Sequence, residues 1–135
     1  MKKIIVTQRI DYIKGYKETR DALDQKLSKW LIQANLLPIP ISNELFCFHH
    51  DLDVQKKSQP IIQNWLSTLK PDALLLSGGN DIGEYPSRDA TEYFLLDWAK
   101  DNNIPVLGIC RGFQIIAKWA GSELVEIHNH VNIRH

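Results

Sequence analysis

Two wholly apolar runs in the second half of the chain limit the folds available to it. They are "ALLLS" at residues 73–77 and "PVLGI" at residues 105–109, and neither alternates apolar with polar residues. Strands of this kind belong to parallel sheets that helices cover on both faces. Segments with helical apolar spacing alternate with these runs, as right-handed β-α-β crossovers require. The sequence therefore predicts an α/β fold with a mostly parallel sheet.

Two further strands are predicted in the first third of the chain. The β-branched run "KIIVT" covers residues 3–7, and "LLPIPIS" covers residues 36–42. Proline cannot donate a hydrogen bond to a neighbouring strand, so Pro38 and Pro40 predict a strand end or a sheet edge.

Four amphipathic segments predict the helices, and their limits follow from capping residues. Pro60 suits the first turn of the second helix, and Gly121 suits the end of the fourth. Asp89 and Glu92 have the spacing of a capping box, which predicts where the third helix begins. The predicted helices are residues 20–34, 59–69, 89 to about 100, and 111 to about 120.

Length and charge exclude several classes of partner. A chain of 135 residues fits one domain, and its 16 basic residues balance its 16 acidic ones. That balance argues against nucleic acid or an anionic membrane as a partner.

The apolar run after the basic start covers only residues 4–6, too short for a signal peptide, and no stretch reaches the ~18 apolar residues of a membrane span. Cys47 and Cys110 form no disulfide framework, which predicts a cytoplasmic protein.

The stretch "GICRGFQ", residues 108–114, has the features of a nucleophile elbow. An apolar strand leads into it, a helix follows at once, and Gly108 and Gly112 flank Cys110 at two residues on either side. A helix N-terminus favours a thiolate, and Arg111 adds a positive charge nearby. The alternative is a cysteine that packs as a small apolar residue, with glycines that only permit close packing.

A second glycine motif, "SGGND", follows the strand at residues 73–77. If that strand lies beside the one before Cys110, both motifs meet at the carboxyl ends of the strands, where α/β sheets bind ligands. The amide of Arg111 and an amide of the glycine motif would then form an oxyanion hole.

These motifs resemble those of a known enzyme family. "GICRGFQ" is similar to the nucleophile motif of class I glutamine amidotransferases, and "LLLSGGNDI" resembles their oxyanion strand and turn. "SRDATEYFLLDWAKDNNIPVLGICRGFQ" resembles the branch that contains γ-glutamyl-γ-aminobutyrate hydrolases. "TQRIDYIKGYKETRDALDQ" is similar to the group that includes γ-glutamyl-CDP-amidate hydrolases.

The resemblance implies a flavodoxin-like three-layer αβα sandwich and a Cys-His-Glu enzyme. It implies attack on a γ-glutamyl amide of a small molecule through a thioester, with no metal or organic cofactor. By position, Cys110 matches the nucleophile, Gly79 and Arg111 match the oxyanion amides, and Gln114 and Gly78 match substrate-binding positions.

The sequence departs from the family after the elbow. The family's catalytic His and Glu lie in a later His-Pro-Glu-like segment. Residues 111–135 contain no segment of that kind. We therefore expect residues 1–135 to be a single, C-terminally truncated domain that is inactive alone and associates with itself through an exposed sheet edge. Two alternatives remain open: a non-catalytic interaction module that keeps the fold, and a redox or glyoxalase-type protein with an elbow cysteine.

The histidines admit more than one interpretation. His128, His130 and His135 lie in the tail, where a His-x-His pair on a strand would suit a metal or a substitute base. A structural or substrate-side role is favoured for them. Residues 49–51, "HHD", are interpreted as a polar loop, and Cys47 as a packing residue because no glycine corner surrounds it.

Overall fold

The computed structural model describes residues 1–45 and 52–128, and for residues 52–58 it describes only the backbone. The structure confirms the α/β fold.

The described strands are β1 (Lys2–Val6), β2 (Arg9–Ile13), β3 (Glu18–Ala22), β4 (Leu36–Pro40), β5 (Ala73–Leu76) and β6 (Val106–Gly108). The described helices are α1 (Gln25–Gln33), α2 (Leu52–Leu69), α3 (Pro86–Asp101) and α4 (Arg111–Trp119), with a short 3₁₀ turn at Asn43–Leu45.

Four strands form one parallel sheet in the order β4-β1-β5-β6. If the strands of this sheet are numbered by their order in the chain, their spatial order is 2-1-3-4, which is the flavodoxin-like arrangement. In the register of the sheet Ile5 pairs with Leu74, and Leu76 pairs with Gly108. The prolines of β4 lie on a strand that pairs only with β1 among the described residues, so the predicted edge is confirmed.

Alternate side chains of the central strands enter two separate cores, one on each face of the sheet. Ile5, Leu74 and Leu76 pack with α2, α3 and α4, whereas Val6 and Leu75 pack on the opposite face. The second face is covered by α1 through the fully buried Leu31. This two-sided burial explains why the strand sequences are continuously apolar.

The largest difference from the prediction is an antiparallel hairpin formed by β2 and β3. Residues 20–22 belong to β3, so the predicted helix at residues 20–34 begins too early. Asp24 ends this segment and caps α1, since its carboxylate accepts a hydrogen bond from the amide of Lys26 at 2.9 Å. Trp30 of α1 is half exposed.

Two other helices begin earlier than predicted. α2 starts at Leu52 and runs through Pro60, whereas the prediction placed Pro60 in the first turn. Ile62 and Leu66 anchor its second half in the core, but Ile61 is exposed. α3 starts at Pro86 and not at Asp89, because the proline occupies the first helical position that suits it. The described helices include none with the length and apolar character needed to span a membrane.

Candidate active site

Cys110 occupies a strained corner between β6 and α4. Its backbone has φ 52° and ψ −110°, a conformation that residues other than glycine rarely adopt. Such strain costs on the order of 1–3 kcal/mol and concentrates at functional sites. The cysteine is the residue before the first turn of α4, and its side chain is exposed. The predicted elbow backbone is therefore confirmed.

The flanking glycines allow α4 to begin against the sheet. A Cβ atom at Gly108 would lie 2.6 Å from the backbone of Gly112 and from the amide of Phe113. A Cβ atom at Gly112 would lie 2.6 Å from the carbonyl carbon of Leu76, and closer still to its oxygen. The first turn of α4 thus rests directly on β5 and β6, and any larger residue at either position would push the corner away.

The second glycine motif lies beside this corner. We call residues 77–80 the glycine loop; it follows β5, and β5 pairs in parallel with β6. The amide of Ile109 donates to the carbonyl of Leu76 at 2.9 Å. A Cβ atom at Gly78 would lie 3.5 Å from the Cβ atom of Cys110. The condition set by the sequence, that the two strands be neighbours, is met.

Several amide groups around Cys110 are available for a ligand. In the first turn of α4 the amides of Gly112 and Gln114 donate to backbone carbonyls, but the amide of Arg111 has no acceptor among the described residues. The same holds, within residues 1–45 and 52–128, for the amides of Gly78 and Gly79. Gln114 is exposed one turn along α4 from Cys110, on the same side of the helix.

A cavity of about 360 Å³ opens next to the glycine loop. That volume lies within the range of small-molecule sites. Arg9 of the hairpin crosses the loop so closely that a Cβ atom at Gly79 would lie 2.8 Å from its Cδ atom. Gly79 also has φ +83°, a second reason for glycine at this position. The lining residues are Arg9, Ala22, Leu23, Asp24, Leu27, Ser77, Gly78, Gly79 and Ile109.

Arg88 lies fully buried beneath the glycine loop, and its contacts with that loop were not predicted from the sequence. Its guanidinium donates to the carbonyl of Ser77 at 2.9 Å, to that of Gly78 at 3.1 Å, and to that of Gly79. It also donates to the side-chain oxygen of Asn80 at 2.9 Å. Burial lowers the pKa of the Arg88 guanidinium, and the negative charge of Glu92 opposes that shift. One side chain therefore binds every residue of the loop.

Glu92 holds Arg88 in place and joins three elements. One carboxylate oxygen accepts from Oγ1 of Thr7, the residue after β1, at 2.8 Å and from Arg88 Nε at 3.2 Å, and the other accepts from Arg111. Asp89 accepts from Arg111 as well and from the amide of Gly83 at 2.7 Å. Two buried guanidinium groups thus face two carboxylates. Losing one partner of such a network costs about 3–5 kcal/mol.

This network overturns two sequence-based expectations. Asp89 and Glu92 are not a capping box, because α3 begins three residues earlier and their carboxylates bind arginines instead. The side chain of Arg111 is also not a free positive charge beside the thiol, since Glu92 and Asp89 neutralise it. Its backbone amide remains a candidate oxyanion donor.

The hairpin fixes the far end of the glycine loop. The amide of Ile10 donates to the side-chain oxygen of Asn80 at 2.8 Å, and the Asn80 side-chain nitrogen donates to the Ile10 carbonyl at 3.0 Å. Asn80 has φ 60°, which asparagine tolerates better than most residues. The alternation of polar and β-forming residues in β2, followed by Gly15, was the available sequence signal for this hairpin, but β3 is mostly charged and lacks that alternation.

Of the remaining sequence-based candidates, only His128 lies within the described residues. His128 is exposed in a turn and not on a strand. His130, His135, residues 49–51 and Cys47 fall outside the described residues. Across residues 1–45 and 52–128, no three His, Cys, Asp or Glu side chains form a group that could hold a metal ion.

Comparison with known proteins identifies the family to which this corner and its loop belong. Residues 52–135 match the family model described as peptidase C26. The chain belongs to the peptidase C26 family, which is class I glutamine amidotransferase-like. This match covers more than half of the chain and includes β5, the glycine loop and the elbow.

The peptidase C26 chain is also similar to two curated proteins. It is 32% identical over 136 residues to the γ-glutamyl-CDP-amidate hydrolase of Campylobacter jejuni, covering 93% of this chain and 59% of the relative. It is 36% identical over 59 residues to a subunit of the glutamine-hydrolysing GMP synthase of Thermococcus kodakarensis, covering 44% of this chain and 29% of that protein. The chain thus matches less than two thirds of each relative's length.

Proposed function

We propose that this peptidase C26 chain carries the nucleophile and oxyanion hole of a hydrolase that cleaves γ-glutamyl amides through a Cys110 thioester. One observation carries the proposal: Cys110 has an elbow backbone beside the glycine loop, where amides that lack an acceptor among the described residues surround an exposed thiol. The names of two relatives support the substrate class, because glutamine is itself a γ-glutamyl amide.

The proposed acylation forms and breaks one bond each. The thiolate of Cys110 attacks the γ-carbonyl carbon, and the carbonyl oxygen takes the negative charge of a tetrahedral intermediate. The amides of Gly79 and Arg111 donate to that oxygen. The departing nitrogen takes a proton from solvent water, the C–N bond breaks to release the neutral amine, and a γ-glutamyl thioester remains. Gly78 and Gln114 border the substrate and orient it.

Deacylation sets a further requirement. Water must be deprotonated as it attacks the thioester, which calls for a positioned base. Among the described residues, no imidazole is hydrogen-bonded to Cys110, and the one described histidine, His128, is exposed on its own turn. We therefore propose that residues 1–135 alone form the thioester and do not complete turnover.

Selective alkylation tests the proposed nucleophile and its substrate class. With limiting iodoacetamide near neutral pH, we expect Cys110 to be alkylated before Cys47, because only Cys110 precedes a described helix N-terminus. We expect L-glutamine to slow that alkylation and L-asparagine, one methylene shorter, to slow it less. Peptide mapping by mass spectrometry measures both effects. Preferential labelling of Cys47, or equal protection by both amides, would contradict the proposal.

A second candidate function is an interaction role through the β6 side of the sheet. Among the described residues β6 pairs only with β5, so its other edge offers unpaired backbone groups. Val106, Leu107, Ile109 and Phe113 are exposed along this side, and we call them the β6 patch. An apolar strand edge is a template for pairing with another chain. We propose that a second copy of this chain pairs there.

Light scattering at tens of micromolar, an order-of-magnitude choice for weak association, tests this self-association. We expect a dimer that dissociates in Leu107→Lys, since charge on an exposed edge strand opposes pairing. Ile61→Lys is the matched control, because Ile61 is also an exposed apolar residue but belongs to α2 and not to the β6 edge. A wild-type monomer, or equal loss of the dimer in both variants, would contradict edge pairing.

A further inference from the structure

We propose that the Arg88–Glu92 pair positions the glycine loop so that its amides face the thiol of Cys110. This inference rests on the proposed function, because it concerns the oxyanion hole of that reaction. Arg88 is a positioning residue: it is not itself among the residues that line the cavity, and it acts through the backbone of residues 77–80, three of which do line it.

The carbonyl contacts of the glycine loop determine where its amides point. In a trans peptide unit the C=O of one residue and the N–H of the next point in opposite directions. The described chain contains no cis peptide bond. Since Arg88 binds the carbonyls of Ser77, Gly78 and Gly79, the amides of Gly78, Gly79 and Asn80 point away from it. Arg88 thereby sets the direction of three consecutive N–H groups.

Fixing this direction calls for a guanidinium group in particular. Glycines have no side chains to restrict their backbone, so Gly78 and Gly79 could rotate their peptide planes at little cost. A planar guanidinium has five donors in a fixed arrangement, whereas a lysine ammonium is a single point charge. Arg88 uses Nη1 and Nη2 on the loop and keeps Nε for Glu92 at 3.2 Å.

Glu92 makes the position of Arg88 depend on the elbow itself. Its second carboxylate oxygen binds Arg111, the residue directly after Cys110. Its first oxygen also accepts from Thr7 Oγ1, and that hydroxyl accepts from the amide of Ser77 at 3.0 Å. The start of the glycine loop and the start of α4 are therefore tied to one buried carboxylate, so the two proposed oxyanion donors keep a fixed separation.

Two reagents separate this positioning role from general stability. p-Nitrophenyl acetate acylates a thiol through a tetrahedral oxyanion, whereas iodoacetamide alkylates it at a saturated carbon and forms none. The ratio of the two rates at Cys110, followed by peptide mapping, reports oxyanion stabilisation. In Arg88→Lys we expect the acylation rate to fall about 10- to 100-fold, with alkylation changed by less than about twofold. Arg20→Lys, an exposed arginine on β3, is the matched control.

Every outcome decides one claim or the other. Equal falls in both rates, or no fall in either, would overturn the positioning role. If wild-type Cys110 has the same rate ratio as N-acetylcysteine, the proposed oxyanion hole fails, and the positioning role fails with it. Should Arg88→Lys not fold by circular dichroism, Thr7→Val and Thr7→Ser decide. We then expect the ratio to fall in the valine variant, which lacks the hydroxyl bound to Glu92, and to persist in the serine variant; equal ratios would overturn the inference.

Discussion

Replacing Gly112 by alanine is expected to destabilise the chain by about 4 kcal/mol or more, which is a large share of the total stability of a domain this size. The new Cβ atom would lie 2.6 Å from the carbonyl carbon of Leu76 and 2.8 Å from its Cβ atom. The opposing atoms belong to the backbone of a central strand and cannot rotate away. Either β5 or α4 must shift, and both carry the proposed site.

Thermal unfolding followed by circular dichroism measures this effect. We expect the melting temperature of Gly112→Ala to fall by roughly 10 °C or more, or the variant to be insoluble. Gly15→Ala is the matched control, because no atom lies within 4 Å of a Cβ atom at that position. Its stability should change by less than about 0.5 kcal/mol. A Gly112→Ala protein as stable as Gly15→Ala would show that the close approach of α4 to the sheet is wrong.

Incubation with a γ-glutamyl anilide is expected to release about one equivalent of the aniline per chain, slowly, and then to stop. Acylation needs a thiolate and oxyanion donors, which we assign to Cys110 and the amides of Gly79 and Arg111. Deacylation needs a positioned base, and among the described residues no imidazole is hydrogen-bonded to Cys110. Absorbance measures the released aniline, and a coupled assay measures free glutamate.

The control for this reaction is Cys110→Ala, in which we expect no release, alongside Cys47→Ala, in which we expect release as in the wild type. Multiple turnovers that disappear in Cys110→Ala would contradict the proposed arrest at the thioester. In that case His128→Ala, His130→Ala and His135→Ala would show whether one of these histidines supplies the base.

The sequence predicted the centre of the fold because the signals there are local. A parallel strand buried on both faces must be apolar throughout, so the runs that became β5 and β6 were recognisable without tertiary information. The elbow was equally visible, since the glycines at positions 108 and 112 are required by contacts within one strand-turn-helix unit and its neighbour. These two features were sufficient to predict that Cys110 lies beside the glycine loop.

The buried ion pairs were not predictable, because their partners are distant in the sequence. Asp89 and Glu92 have capping-box spacing, and the same spacing also places two carboxylates on one side of a helix. The choice between these interpretations depends on Arg111, 19 residues after Glu92, and on Thr7, 85 residues before it. A local pattern contains neither contact, so tertiary structure decided the role of both acids.

The hairpin and the start of α2 were also not predicted. The strand β3 is rich in charged residues and exposed, so it lacks the apolar alternation that identifies a strand. Contacts of Asp21 with Ser42 and Asn43 hold it against the turn after β4. Pro60 suggested a helix start, yet α2 continues through it. In β3 these contacts with distant residues outweighed the local preference.

Mass spectrometry of the chain after incubation with L-glutamine or a γ-glutamyl anilide tests the central claim most directly. The account predicts a mass increase of one γ-glutamyl group per chain, located by peptide mapping on the fragment that contains Cys110 and removed by hydroxylamine, which cleaves thioesters. Cys110→Ala should show no increase. A γ-glutamyl group found on another residue, or an unmodified Cys110 under conditions in which iodoacetamide labels it fully, would contradict the account.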